Sequence, residues 1–482
     1  MNTNWITVIL LFGWLLSGLY VVNRLRSDSR ADPVQVLPSF FIGPFGWVWL
    51  RLHQNGGKIR DLFRFDSEGT KGQEGESDLI FLDGQGNELF SGRTDRSRTV
   101  EDVKKIVSEA VNRRSSDIFI DPKEKVYTVR FRVDGMIREY DTMPEDQAAA
   151  AISMIKVASG MDIAEKRRPQ DGMFSILYGG KTTSFRVASV GVFGGEKISI
   201  RVILPEDGSR DISALGLSKE QLSLVRSGVK LSSGMILLCG PTGSGKTSTL
   251  YSMLGAVDYN MKNVISIEDP IERVIPHVSQ MEVNVKADIT FASLLRNALR
   301  QNPDVICVGE IRDEETAEVA VHAAQTGHLI IATLHSNDNA GTIVRLADLG
   351  VPLRSIAACL QLIISQRLVR KLCPHCRRKA ELSAEQLDFC AKYGIPAESL
   401  FTSAGCPECG NTGFAGRQAV FEILTMTDQL RAVMESSDAS VMSIQECIEK
   451  NRGENTIFNI AGGMLLRGEI PLEQFERVNI NF

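Results

Sequence analysis

The sequence predicts an α/β protein built around a parallel sheet, and three observations lead there. An apolar run, Met235-Ile-Leu-Leu-Cys239, opens directly into a glycine-rich turn. Three later apolar runs each end in a polar group: Val264–Ile267 in Glu268-Asp269, Val305–Val308 in Gly309-Glu310, and Leu329–Leu334 in His335. Composition is that of a globular protein, with 43% hydrophobic and 23% charged residues. A chain of 482 residues supplies roughly two to four domains. The formal net charge of −5 argues against a surface that coats nucleic acid, and no nucleic-acid partner is expected.

The turn after Cys239 is Gly240-Pro241-Thr242-Gly243-Ser244-Gly245-Lys246-Thr247, followed by Ser248. It fits G-x-x-x-x-G-K-[ST] at every fixed position. Glycines let backbone N–H groups close around a polyphosphate, and a helix starting near Lys246 adds its positive end. Lys246 then reaches the β/γ phosphates and the Thr247 hydroxyl reaches Mg²⁺, so ATP and Mg²⁺ are the expected ligands.

From the amino end, Trp5 to Val22 carries no charge and is rich in Ile, Leu, Val, Phe and Trp. At about 1.5 Å per residue such a helix just spans a hydrocarbon core of roughly 30 Å. Arg24, Arg26 and Arg30 follow and hold that side in the cytoplasm. A single-span anchor in the inner membrane, with the rest of the chain cytoplasmic, is therefore expected. A second uncharged run, Pro33–Leu50, has two readings: an interfacial or re-entrant segment, or a packed hydrophobic loop. Residues 66–78 are polar, acidic and glycine-rich, a linker, and Asp78–Phe90 reads as a small hairpin.

An α+β module follows. A helix around Val103–Val111 precedes strands at Asp117–Ile120 and Val126–Val133; a helix with Ala149–Met154 precedes strands at Phe185–Val187 and Ile198–Arg201. Arg167, Arg186 and Arg201 have two readings, contacts to a neighbouring nucleotide or local surface ion pairs.

If the three apolar runs are parallel strands beside Met235–Cys239, their polar ends share an edge with the phosphate loop. Glu310 follows its strand and Asp304 precedes it, so Glu310 is the better candidate for holding Mg²⁺ through water or orienting the attacking water. Glu268 is the second carboxylate candidate, Glu272 and Arg312 shape the site, and His335 senses the γ-phosphate or simply packs at a strand end.

Cys373-Pro-His-Cys376 and Cys406-Pro-Glu-Cys409 are two C-x-x-C knuckles with 29 residues between them. Four thiolates make a closed structural Zn²⁺ site. A redox pair fails, because two pairs occur without a thioredoxin-like pattern; loss of the metal in this chain and a nucleic-acid-binding zinc ribbon are the competing readings. Cysteines 239, 307, 359, 390 and 447 sit in mostly apolar runs and read as core.

These motifs, together with Ser116-Asp-Ile118, Arg132-Val-Asp-Gly135, Pro169-Gln-Asp-Gly172, Ile267-Glu-Asp-Pro-Ile-Glu272, Leu299–Asp304, Thr326–Leu329 and Thr412-Gly-Phe-Ala-Gly-Arg417, resemble the ATPases of type II secretion and type IV pilus assembly, the GspE/PilB group. The resemblance runs from about Val103 to the carboxyl end. It implies a RecA-like domain preceded by an α+β, PAS-like domain, assembled as a homohexamer that acts on an inner-membrane platform protein. It also implies that Glu310 is the Walker B acid, that Glu268 is the acidic-box carboxylate, and that Arg167, Arg186 and Arg201 act across the ring. ATPases of DNA uptake and of pilus retraction are the alternatives within this architecture. Phe119 stands where members usually carry His, Met173 where Arg often follows, and Asn302 where Asp is usual. The larger soluble amino-terminal domain of the group is expected to be replaced by the anchor. The expected division is 1–30 anchor, 31–98 membrane-proximal segment with linker and hairpin, 99–205 α+β domain, 206–372 RecA-like domain, 373–416 zinc insert and 417–482 carboxyl-terminal helical part.

Overall fold

The computed structural model describes residues 79–84, 86–90, 97–203 and 211–479. The Trp5–Val22 anchor, the Pro33–Leu50 run and the linker at 66–78 lie outside the described residues. Among the described residues, no helix is long and apolar enough to cross a membrane.

The first layer is an eight-stranded antiparallel sheet of strands β1 (Ile80–Leu82), β2 (Glu88–Leu89), β3 (Asp117–Pro122), β4 (Val126–Val133), β5 (Met136–Pro144), β6 (Gln170–Tyr178), β7 (Lys181–Val192) and β8 (Gly195–Ile203). Their order is β2-β1-β6-β7-β8-β3-β4-β5. Helices α1 (Arg98–Asn112) and α2 (Glu145–Ala158) supply its apolar cover. α1 buries Val100, Val103, Ile106, Val107 and Ala110, one stripe at helical spacing, and Ser97 caps it by accepting from the Val100 N–H.

Alternation then sorts the strands: Ile118 and Ile120 face the core while Phe119 lies on the other face. The hairpin at 80–89 belongs to this sheet, because β1 pairs with β6. The module therefore reaches back past the expected start at 99. Two strands, β5 and β6, were not expected; β5 is a mostly exposed edge strand and carries no apolar alternation to betray it.

The second sheet has seven strands in the order β11-β10-β12-β13-β9-β14-β17. These are β9 (Gly234–Cys239), β10 (Val264–Glu268), β11 (Ser279–Glu282), β12 (Val305–Val308), β13 (Leu329–Leu334), β14 (Leu360–Leu372) and β17 (Phe414–Thr425). All pairings are parallel except β14 with β17. β9, β10, β12 and β13 are buried at every position, as continuous apolar strands with both faces covered must be. One hydrophobic core lies on each side of them. The three apolar runs are thus strands parallel to the phosphate-loop strand, β13 beside it and β12 and β10 beyond, and all three end at the edge from which the phosphate loop leaves.

Between β14 and β17 the chain makes a small lobe with its own two-stranded sheet, β15 (Arg377–Lys379) and β16 (Phe401–Ser403).

Candidate functional site

The phosphate loop leaves β9 at Gly240 and ends where α3 (Lys246–Leu254) begins. Gly240 has φ 146°, and a Cβ there would lie 2.4 Å from the Gln366 carbonyl oxygen. Gly245 has φ 90°, and its Cβ would meet Gln366 Nε2 at 2.9 Å. Glycine is required at both by backbone conformation and by the close approach of β14. Gln366 braces the loop by donating to the Ser244 carbonyl at 2.7 Å and accepting from Thr249 Oγ1 at 2.8 Å.

Pro241, Thr242 and Gly243 face solvent, and Thr247 and Ser248 begin the helix. Lys246 Nζ donates to the carbonyls of Gly240 (2.7 Å) and Pro241 (3.3 Å). Burial pushes the Lys246 ammonium below its ordinary range, opposed by the negative charge of Glu310. The loop therefore holds a desolvated cation beside the exposed turn 241–243, an arrangement suited to an anionic ligand.

Glu310, two residues beyond the end of β12, is held from two sides. His335 Nε2 lies 2.8 Å from its Oε1, and Arg312 Nε lies 2.7 Å from its Oε2. Arg312 also approaches Asp269 at 3.5 Å. The backbone under this carboxylate is pinned: Thr333 Oγ1 donates to the Gly309 carbonyl at 2.6 Å, and the Ile311 N–H to the Thr333 carbonyl at 3.0 Å. Glu310, Arg312 and His335 are thus brought together as expected.

Glu268, the second carboxylate candidate, ends β10 but is buried. It is 4% exposed. It accepts hydrogen bonds from Tyr251 Oη, from Ser266 Oγ at 2.6 Å and from Gln280 Nε2 at 2.9 Å. The reason is register: Glu268 still pairs with Glu282 of β11, so its side chain lies within the layered sheet. Burial, followed by the Glu268 hydrogen bond and charge, pushes the Tyr251 phenol well above its ordinary value. The Tyr251 hydroxyl in turn accepts from the Glu272 N–H at 3.3 Å, and the Arg273 guanidinium sits 4.8 Å from the ring centre. Tyr251 and Gln280 were not singled out in the sequence. The only available signal was that Tyr251 follows the phosphate-loop lysine by five residues and so lies on the sheet side of α3.

Arg186 and Arg201 are register neighbours across β7 and β8 on the exposed face of the first sheet. Arg201 is 66% exposed and lies 3.6 Å from Asp117; Arg167 lies 4.0 Å from Glu165. Among the described residues, none of the three arginines makes a hydrogen bond or ion pair to the phosphate loop. Phe119 occupies the same face, with Arg132, Arg130 and Lys197 at 5.5, 5.9 and 5.9 Å from its ring centre.

The Sγ atoms of Cys373, Cys376, Cys406 and Cys409 all lie within 4.8 Å of one another. Three of the separations are 3.8 Å (373 to 406), 3.9 Å (376 to 409) and 3.7 Å (406 to 409). Four thiolates around Zn²⁺ at about 2.3 Å stand about 3.8 Å apart, so the donor set fits that ion. N–H groups of Cys406 and Gly413 point at Cys409 Sγ at 3.3 and 3.2 Å. Burial raises the Cys409 thiol, but these donors outweigh it and bring it down to about 6. His375 is exposed and outside the cluster. Cys239, Cys307, Cys359 and Cys390 are buried as expected, whereas Cys447 is only half-buried.

A parallel sheet that delivers a phosphate loop, a braced carboxylate and a histidine to one edge defines a P-loop nucleoside-triphosphate hydrolase. The model of the family described as "Type II/IV secretion system protein" matches residues 93–477. The chain belongs to that family and is an ATPase. It is 41% identical over 347 residues to the type II secretion system protein E of Klebsiella pneumoniae, covering 71% of this chain and 69% of the relative. It is 37% identical over 432 residues to the type IV pilus assembly ATPase PilB of Pseudomonas aeruginosa, covering 87% and 75%. Among solved structures, the pilus retraction motor PilT with bound ADP superposes with a TM-score of 0.53 at 28% identity over 78% of this chain and 96% of that one. The ATPase DotB of Legionella pneumophila shares the fold, with a TM-score of 0.59 at 20% identity over 79% and 96%.

Proposed function

We propose that this ATPase works as a homohexamer that drives assembly of a type IV pilus or a type II secretion pseudopilus through an inner-membrane platform protein. The observation that carries the reading is the shared sheet edge, where the phosphate loop, Glu310 and His335 meet in a chain related to both secretion and pilus ATPases.

In this reading residues 240–248 hold the ATP phosphates, and Lys246 exchanges its two carbonyl partners for phosphate oxygens. Thr247 and Glu310 hold Mg²⁺, Glu310 through water, and the ion neutralises charge on the transferring phosphoryl group when bound. Glu310 orients the attacking water, with Arg312 and His335 fixing its carboxylate, and His335 reports on the γ-phosphate. Glu268 acts from behind, setting Tyr251 and the acidic box. Arg186 and Arg201, with Arg167, reach the nucleotide of the neighbouring subunit. Cys373, Cys376, Cys406 and Cys409 hold a structural Zn²⁺. The Trp5–Val22 segment tethers the ring to the inner membrane with the ATPase on the cytoplasmic side, raising its local concentration near the platform.

The test is replacement of the native chain by Lys246→Ala in cells. Loss of surface fibres or of secreted substrate is expected; intact assembly and secretion would overturn the reading. An alkaline carbonate wash tests the tether separately. The intact chain should stay in the membrane pellet and a chain lacking residues 1–30 should not; full extraction of the intact chain refutes a spanning anchor.

A further inference from the structure

β9 ends at Cys239, opposite Ser365, but its neighbour β14 runs on to Leu372 and so lies alongside the phosphate loop. Gln366, the first residue beyond that last pair, braces the loop as described above. Arg367 is the next residue, and it is 5% exposed. Its Nη1 donates to the Gln366 carbonyl at 3.1 Å, and its Nη2 donates to the Asn337 carbonyl. Its Nε is buried without a hydrogen-bond partner.

Among the described residues, Arg367 has no ion pair within 4.0 Å. The nearby acids are engaged elsewhere. Asp338 caps α4 (Asn339–Asp348) by accepting from the Gly341 N–H at 2.6 Å. Glu422 takes both Arg452 nitrogens, at 3.1 and 3.2 Å, and the Ile457 N–H at 3.1 Å. The charge of Arg367 is felt at Lys246, which it disfavours as a cation. Lys246 and Arg367 are thus two buried cations on adjoining elements, the phosphate-loop helix and the strand beside the loop. Burial pushes the Arg367 guanidinium below its ordinary range, and Asp338 and Glu422 oppose this only from a distance, so an anion placed beside it relieves a remaining cost.

We propose that Arg367 is a positioning residue for ATP hydrolysis: its guanidinium joins the strand behind the phosphate loop to the loop carrying His335, and the nucleotide's phosphates add to the counter-charge that no direct ion pair supplies. Asn337 lies two residues beyond His335, so the fork fixes the distance between the phosphate cradle and the Glu310–His335 pair. Lysine cannot replace it, because one ammonium cannot span both carbonyls as a planar fork does. Arg367 need not touch the phosphates to act in this way. The proposal rests on reading 240–248 as the nucleotide site.

The experiment uses the full chain with Arg367→Met and Arg367→Lys, and reads melting temperature with and without Mg·AMP-PNP alongside steady-state kinetics. Arg367→Met is expected to melt no lower than wild type without nucleotide, since it removes an uncompensated charge, and to lose most of the nucleotide-induced rise. Its kcat should fall about tenfold or more, the loss of an interaction made in the transition state, while the KM for ATP changes less than kcat. Arg367→Lys should recover much of the nucleotide-induced rise but little of the kcat. If Arg367→Met melts equally lower in both conditions and keeps a wild-type kcat per folded chain, the residue is structural and the proposal fails. Should Arg367→Met not fold, an unchanged kcat in Arg367→Lys overturns it. A wild-type chain that gains no stability from Mg·AMP-PNP would instead refute the phosphate-loop reading.

Discussion

His335 Nε2 stands 2.8 Å from Glu310 Oε1, and this pair joins the ends of two adjacent parallel strands across the mouth of the phosphate loop. The geometry requires Nε2 to carry the proton, because a carboxylate only accepts. With Arg312 on its other oxygen, Glu310 has one fixed orientation. In the proposed mechanism this fixed orientation aims the attacking water.

Glu310→Gln keeps the shape but weakens the water's acceptor, so nucleotide binding should survive while turnover falls by roughly two to four orders of magnitude. Lys246→Ala should lose binding or productive phosphate placement. Near-normal turnover of purified Glu310→Gln would remove it from the catalytic role.

In the proposed mechanism His335 acts through Glu310, so the two should not contribute independently. His335→Ala alone is expected to lower kcat by about tenfold or more with a smaller change in KM. Combined with Glu310→Gln it should add little further loss, since residues acting as a unit are strongly non-additive. Fully multiplicative losses in the double variant would show that the 2.8 Å contact carries no function.

Continuous apolar strands of a parallel sheet end where polarity returns, so the sequence alone placed Glu310, His335 and Glu268 at strand ends, whereas the burial of Glu268 was not legible. Its burial depends on pairing with β11, whose Ser-Gln-Met-Glu sequence has no apolar run to announce a strand. The long β14–β17 pair was hidden in a similar way: the cysteine lobe separates its strands, so no short turn marks a hairpin. The fork of Arg367 was equally silent, since an arginine in a strand carries no motif until the fold shows what buries it.

The Glu268 cluster yields a separate prediction. Tyr251→Phe leaves a buried carboxylate one donor short and should cost about 1–3 kcal/mol of stability, the usual penalty for a lost partner of a buried acceptor. It should also loosen the acidic box at Glu272, whose N–H donates to the same hydroxyl. Chemical denaturation with an unchanged midpoint would show that Ser266 and Gln280 alone satisfy Glu268.

The cysteine lobe predicts a metal effect confined to its own surroundings. Metal analysis should find about one Zn²⁺ per chain. Chelation or Cys376→Ser should unfold 373–416 while nucleotide affinity stays within a few-fold. Gly416 and Arg417 border that lobe, and both approach Asp134 of the first sheet, at 3.3 and 4.0 Å. Faster proteolysis near residue 134 on zinc loss is therefore expected as well. Stoichiometric zinc surviving loss of both knuckles would place the ligands elsewhere.

The final prediction concerns the arginines that the single chain leaves away from its phosphate loop. Arg186 and Arg201 lie side by side on an exposed sheet face, and Arg201 has only a loose 3.6 Å approach to Asp117. A residue so placed can serve a nucleotide only if another subunit brings that nucleotide to it. Arg201→Ala chains retain an intact phosphate loop, and Lys246→Ala chains retain an intact arginine face; each alone should be nearly inactive. Mixed at equal amounts in a closed ring, one site in about four joins an intact loop to an intact neighbouring arginine. Turnover should then recover toward about a quarter of the wild-type rate per chain if the sites fire independently. Wild-type specific activity should also rise with protein concentration as rings form. No recovery on mixing, with both variants shown to co-assemble, would mean that Arg201 serves its own chain or none.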